Sequence, residues 1–117
     1  MKKPSGTQGD ELAAVVPALV DYTNRVLYDE IWERPGLSKR DRSLVTVAAL
    51  VAMYRPEQLT SHLSLALDNG ITQEELGEAL THLAFYASWP NAISASRKFY
   101  DLVQQRQKDA AARNLSD

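Results

Sequence analysis

The sequence predicts an all-α fold of about five helices. Apolar residues recur three and four positions apart along most of the 117 residues, which is the spacing of one helix face. No stretch alternates apolar and polar residues as a half-buried strand does. Prolines, glycines and capping residues divide the chain at distances typical of helices. A chain of this length is expected to form one domain with a single core.

The first two predicted helices flank a proline-glycine break. The first covers about residues 17–32, after a short turn, because proline fits the first turn of a helix. The sequence Arg-Pro-Gly at 34–36 ends it. Ser38 is a suitable N-cap for the second helix, with Asp41 in its first turn. This helix, to about residue 54, is apolar on nearly all sides and is expected to be central and buried.

The remaining helices have equally local signals. The third covers about residues 56–70, opened by proline and closed by glycine. Thr72 and Glu75 form a capping box at the start of the fourth, which is expected to end near Ser88. The fifth begins near Pro90. The domain is expected to cover residues 10–108, with a flexible N-terminus at 1–9 and a fraying tail at 109–117.

Composition excludes several classes of function. The formal net charge of −2 gives no electrostatic footprint for nucleic acid or an anionic membrane. No apolar run is long enough to span a membrane, and no signal peptide is recognisable, so the cytoplasm is the expected compartment. The chain contains no cysteine, which excludes disulfides, thiolate metal sites and thiol catalysis. No cofactor motif is present.

Two histidines are candidates for proton transfer. His62 lies on the apolar face of the third helix, where an imidazole serves as a general acid or base or, more commonly, as a core residue tied to a backbone carbonyl. His82 shares one face of the fourth helix with Glu78 and Tyr86, each four residues away. Such a stripe relays protons or, more commonly, faces solvent or a partner. Neither histidine has the spacing of a metal site.

Four cations gather at the start of the second helix: Arg34, Lys39, Arg40 and Arg42. Cations at a helix N-terminus oppose the helix dipole, so a bound carboxylate or phosphate would be stabilising there. The alternatives are an acidic partner surface or plain solvation. Glu30 and Trp32 precede the proline-glycine break and are candidates to line the same pocket.

Four segments resemble the gamma-carboxymuconolactone decarboxylase family. They read EIWERPGL, RDRSLVTVAALVA, EQLTSHLSLALDNGITQEELGEAL and HLAFYASWPNA, and the resemblance covers about residues 17–103. It implies an all-helical fold assembled as a trimer, or as a hexamer of two trimers.

The wider superfamily has a branch of thiol peroxidases, similar to alkylhydroperoxidases, with the motif C-x-x-C-x-x-x-H. Counting back from His62 places its cysteines at Arg55 and Gln58. Neither residue supplies a thiolate, so peroxidase chemistry is excluded as a mechanism.

The other branch implies a cofactor-free decarboxylase that converts 4-carboxymuconolactone to an enol-lactone and carbon dioxide. By this resemblance His62 is the proton donor and Arg40 and Arg42 are carboxylate clamps. The pocket would also include four residues that shape or orient the substrate: Glu30, Trp32, Tyr86 and Trp89. His82 is a further candidate for substrate binding.

One segment departs from the decarboxylase pattern. Those enzymes resemble YCGVPAANAAFH where this chain reads YASWPNAISASRK, so Ser88 replaces a glycine and Trp89 replaces a small residue. A changed substrate is therefore one expectation. A second is a family member without decarboxylase activity that binds a small acid or quinone-like ligand. A third is a structural oligomer without a site.

The apolar content also predicts self-association. Five helices do not easily hide the whole apolar second helix together with four further residues: Val15, Val16, Trp32 and Trp89. We expect a homo-oligomer, a trimer or hexamer, with the pocket near a subunit boundary. The expected ligand is a small carboxylate or lactone.

Overall fold

The structure is a computed structural model that describes residues 9–116. In this part of the chain it contains helices and no strands, which confirms the predicted all-α class. The six α-helices are Gly9–Ala13 (α1), Pro17–Tyr22 (α2), Lys39–Ala52 (α3), Pro56–Asp68 (α4), Gln73–Tyr86 (α5) and Trp89–Ser116 (α6), and a π-helix at Thr23–Ile31 continues α2.

The predicted first helix is wound in two ways. It begins with Pro17 in its first turn, as expected. At the change from α to π winding, the Thr23 hydroxyl donates to the Leu19 carbonyl oxygen at 2.8 Å, a side-chain bond that competes with the regular ladder. Tyr28 and Trp32, four residues apart at the end of this segment, stack with centroids 6.2 Å apart.

Helices α3 to α6 form the core. The most extensive packing is between α3 and α4, between α5 and α6, and between α4 and α6. The buried cluster at their centre contains residues of all four helices and the α4–α5 turn: Val47, Val51, Leu59, Leu63, Ala66, Ile71, Leu76, Leu80, Ala95 and Phe99. Arg106 fastens α6 to α4 by donating to the Ser64 hydroxyl at 2.9 Å and to the Asp68 carboxylate at 3.1 Å.

Local capping signals explain where these helices begin. The Ser38 hydroxyl accepts from the Asp41 backbone N–H at 3.0 Å, as predicted. The reciprocal capping box of Thr72 and Glu75 forms at the start of α5. Ser88, which departs from the decarboxylase pattern, accepts from the Asn91 backbone N–H at 3.3 Å at the start of α6. Its hydroxyl therefore has a structural role as a helix cap.

Two expectations about burial need correction. Helix α3 is not buried on all sides, because Val45 is 62% exposed in the single chain. Trp32 is not surplus apolar surface, because it is only 4% exposed and packs with Tyr28 and Leu65.

Helix α6 continues through residue 116. The fraying of residues 109–117 and the flexibility of residues 1–9 stay predictions, and residues 1–8 and 117 lie outside the described residues.

Candidate active site

A cleft of about 720 Å³ opens between α3 and α5, a volume typical of small-molecule sites. Its floor is apolar and is built by Leu44, Val47, Ala48, Ile71, Ala79 and Leu83. Its rim is charged and polar and is built by Arg40, Glu74, Glu75, Glu78 and His82. The floor residues recur every three or four positions on each helix, so helical periodicity directs both apolar faces into one space.

The rim brings together two of the predicted site residues, Arg40 and His82. The Arg40 guanidinium forms an ion pair with the Glu75 carboxylate and lies 3.4 Å from that of Asp41. The hydrogen bond from the Thr72 backbone N–H is the main reason why the pKa of Glu75 lies below its usual value, and the Arg40 guanidinium lowers this pKa further. The cation that sequence analysis assigned to a substrate carboxylate thus already has a carboxylate of its own chain.

His82 lies at the outer end of the cleft. Its ring stacks on that of Tyr86 with centroids 4.7 Å apart, and Tyr86 is 80% exposed. Glu78, one turn before His82, also lines the cleft, so the predicted stripe lies on one side of α5. Tyr86 itself does not line the cleft.

His62 occupies a separate, half-buried position on α4. Its Nδ1 atom is buried and has no hydrogen-bond partner, so this nitrogen is not tied to a backbone carbonyl. Burial lowers the pKa of the imidazole below its ordinary value of 6.5. The ring is therefore neutral near neutral pH, and His62 does not line the α3–α5 cleft of the single chain.

Arg42 closes the proline-glycine loop. One of its terminal nitrogens donates to the Arg34 carbonyl oxygen at 3.1 Å, while its Nε is buried without a partner. A buried guanidinium N–H that lacks an acceptor is costly, and a carboxylate is its best-matched ligand. Among the four clustered cations, Lys39 is engaged differently and pairs with Glu33 at 2.7 Å.

Three further predicted residues lie outside the cleft. Glu30 is exposed near the end of the π-helix. Trp32 is buried in the cluster described above. Trp89 is 56% exposed and meets Phe85 edge to face at 5.4 Å. In the single chain, none of the three contributes to the α3–α5 cleft.

Sequence analysis did not assign two acidic residues of the rim, Glu74 and Glu75, to the site. Both lie in the first turn of α5, where acidic residues are expected, and Glu75 belongs to the capping box. Their place at the helix N-terminus explains them without any reference to a site. Their position against α3 depends on tertiary packing, which the local pattern does not contain.

Comparison with known proteins identifies the class. Residues 17–100 match the model of the carboxymuconolactone decarboxylase family, and the chain belongs to that family. It is therefore a member of an all-helical decarboxylase family.

Two features are absent from residues 9–116. None of the helices there has the length and the apolar character that a membrane span requires. The same residues contain no group of three or more His, Asp or Glu side chains that could hold a metal ion.

Two curated relatives are similar to this chain. A 4-carboxymuconolactone decarboxylase of Acinetobacter baylyi is 40% identical over 75 residues, which cover 64% of this chain and 56% of the relative. A nitrosuccinic acid decarboxylase of Metarhizium robertsii is 37% identical over 65 residues, 56% of this chain and 46% of the relative. The chain thus spans about half the length of the curated relatives it matches.

Proposed function

We propose that the protein is a cofactor-free decarboxylase acting on a small carboxylated substrate. The first candidate is a carboxylated lactone from aromatic-compound degradation. Membership of the family and the names of both relatives support the reaction class. The observation that carries the proposal is the buried His62 Nδ1 without a partner. A buried polar atom left unbound is costly, and a site that uses the atom in binding or proton transfer accounts for that cost.

The proposed reaction breaks the carbon–carbon bond to the carboxylate. Carbon dioxide leaves, and the bonding electron pair stays on carbon, delocalised toward a neighbouring carbonyl. A proton from His62 then quenches that carbon. His62 is neutral in the free protein because burial lowers its pKa. An anion bound beside it favours the imidazolium, so substrate binding would supply the charge state that a donor needs.

Two arginines are proposed to hold the substrate carboxylates. Arg42 is the stronger candidate because its buried Nε lacks an acceptor. Arg40 is available only in competition with Glu75. Glu30, Trp32, Tyr86, Trp89 and His82 stay proposed contributors. Of the proposed residues only Arg40 and His82 line the cleft of one chain. The others, including His62 and Arg42, would reach a substrate there only if a second subunit completes the pocket.

The proposal includes a homo-oligomer, a trimer or hexamer, in the cytoplasm. Large apolar side chains are exposed in the N-terminal segment, including Val15 at 76% and Leu19 at 60%. Exposed apolar side chains that form a patch are typical of protein interfaces.

The test of the His62 role is His62→Gln, which keeps a polar side chain but cannot supply the proton. We expect kcat to fall at least a hundredfold, the usual contribution of a general acid, while substrate binding changes less than about threefold. His82→Gln, at the chain's other histidine, is compared in parallel: because His82 lines the cleft as a proposed substrate contact, this variant should raise KM and leave kcat within about threefold. Equal turnover by wild type and His62→Gln would exclude His62 as the donor.

The second candidate is a family member that binds a small acid or quinone-like ligand without turning it over. The Ser88-Trp89 segment, which departs from the decarboxylase pattern and places an exposed tryptophan beside a half-buried serine, favours it. Ligand binding with no carbon dioxide release by wild-type protein would identify this case, because binding alone raises the apparent stability of the native state.

A further inference from the structure

The rim of the α3–α5 cleft carries more negative than positive side chains. Among the described residues that line the cleft, Arg40 is the one arginine or lysine, and the rim also carries three glutamates, Glu74, Glu75 and Glu78. Only Glu75 contacts Arg40 among these three; the side chains of Glu74 and Glu78 have no hydrogen bond or ion pair within the described part of the chain. Arg40 is therefore the group on this rim that can bind an anion, and Glu75 occupies it.

The two oxygens of the Glu75 carboxylate have different partners. Oε1 accepts from the Thr72 backbone N–H at 2.9 Å and completes the capping box of α5. Oε2 accepts from a terminal nitrogen of Arg40, 35 residues earlier in the chain. Glu75 can release Arg40 and still keep its capping bond, so the start of α5 stays formed when a ligand takes Arg40.

We propose that Glu75 is a positioning residue: it holds Arg40 at the mouth of the cleft as an internal carboxylate, and a carboxylate ligand binds by displacing it. This inference rests on the proposed function, because it requires a carboxylate ligand held by Arg40. The ligand class is a small apolar body with a carboxylate, which fits the apolar floor and the single cation on the rim.

Three physical consequences follow from an internal competitor. Arg40 is oriented before the ligand arrives, so less side-chain entropy is lost on binding. The affinity is lower than a free arginine would give, because the Glu75 contact must be exchanged for the new one. The Arg40–Glu75 pair is exposed to solvent at the rim, so salt screens it and the pair is weak enough to be exchanged.

The test replaces Glu75 with glutamine. Glutamine keeps an oxygen for the Thr72 N–H and so preserves the capping box, but it presents an amide N–H₂ instead of an acceptor to Arg40. Glu74→Gln is the matched control: it makes the same charge change on the same rim and does not touch Arg40. The probes are cyclohexanecarboxylate and its neutral amide, titrated at low salt and followed by the protein's amide NMR signals.

We expect Glu75→Gln to bind the carboxylate about threefold to tenfold more tightly than wild type, as expected for removing one charge at contact distance near a surface. Glu74→Gln should change affinity less than about twofold, and the neutral amide should bind all three proteins alike. In an Arg40→Gln background the gain from Glu75→Gln should vanish. With a turned-over substrate, Glu75→Gln should lower KM and leave kcat within about twofold.

Two results would overturn the inference. One is an equal gain from Glu74→Gln and Glu75→Gln, which would show a general field effect. The other is no gain from Glu75→Gln, including the absence of carboxylate binding in every variant. Turnover is measured separately. If the protein turns over a substrate but Glu75→Gln does not bind the carboxylate more tightly, the proposed function holds and this inference is wrong. If Glu75→Gln binds more tightly but no substrate is turned over, this inference holds and the decarboxylase proposal is wrong.

Discussion

At the residue scale, His62 links one protonation event to both chemistry and stability. Burial lowers its pKa in the folded protein below 6.5, while the unfolded chain keeps the ordinary value. Between these two pKa values the unfolded state binds more protons than the folded state. The free energy of unfolding therefore decreases as the pH falls from about 6.5 through the lowered pKa, and it is unaffected by His62 well above 6.5.

This sign gives a prediction for stability. Urea denaturation of wild type and His62→Gln between pH 7.5 and 5 should show that wild type loses more stability on acidification than the variant. His82→Gln, which changes an exposed histidine on α5, is the control and should follow wild type. If the stabilities of wild type and His62→Gln depended on pH in parallel, the lowered pKa of His62 would be contradicted.

The residue scale also shows where sequence reasoning about the site stopped. The cluster of cations was recognised, but their partners were not, because Lys39–Glu33 and Arg40–Glu75 depend on how α3 meets the preceding loop and α5. Periodicity placed His62 on an apolar face correctly. It could not show that Nδ1 lacks a partner, because that depends on side chains from other elements.

At the element scale, two helices end with the same backbone motif built on different residues. At the end of α4, Gly70 has φ of 102°, and the N–H of Ile71 donates to the Ala66 carbonyl at 3.0 Å. At the end of α3, Tyr54 has φ of 54°, and the N–H of Arg55 donates to the Leu50 carbonyl at 2.9 Å. Both are Schellman motifs.

The two positions predict opposite effects of substitution. Gly70→Ala should lower the free energy of unfolding by about 1 kcal/mol, because a Cβ is unfavourable in the left-handed region, although it would meet no atom within 4 Å. Tyr54→Gly should raise it by about 0.5–1 kcal/mol by relieving that strain. Chemical denaturation measures both, and a destabilised Tyr54→Gly would mean that the exposed tyrosine ring contributes more than its backbone costs.

Local signals explain which elements were predictable. Ser38, Thr72 and Pro56 mark helix starts by chemistry that involves only a few neighbouring residues. The π-helix was not predictable, because its residues have ordinary helical periodicity. The Tyr54 motif was also missed, because tyrosine is not a residue that signals left-handed backbone.

At the scale of the whole molecule, the chain is extended for its length. Its radius of gyration is 15.4 Å, whereas a compact domain of this size has about 13 Å. The N-terminal helices contact the core through the small cluster of Tyr28, Trp32 and Leu65, and their outer side chains are apolar and exposed, as at Leu19 and Tyr22. An arm of this kind is expected to pack on another subunit.

The predicted assembly can be measured directly. Light scattering coupled to size-exclusion chromatography at micromolar concentration should give a mass of three or six chains. Leu19→Lys, on the exposed face of α2, should shift the protein toward smaller species, and Asp21→Lys at an exposed polar position is the control. A monomeric wild type would contradict the prediction.

Carbon dioxide release is the measurement that tests the central claim most directly. Purified, folded protein is added to freshly generated 4-carboxymuconolactone, with nitrosuccinate in a parallel reaction, and release is followed against a no-enzyme control and His62→Gln. The decarboxylase proposal predicts rapid release from one substrate by wild type and release by the variant reduced at least a hundredfold. Wild-type release no faster than the no-enzyme control, with both substrates, would contradict it and would favour a protein that binds a small acid in the same fold.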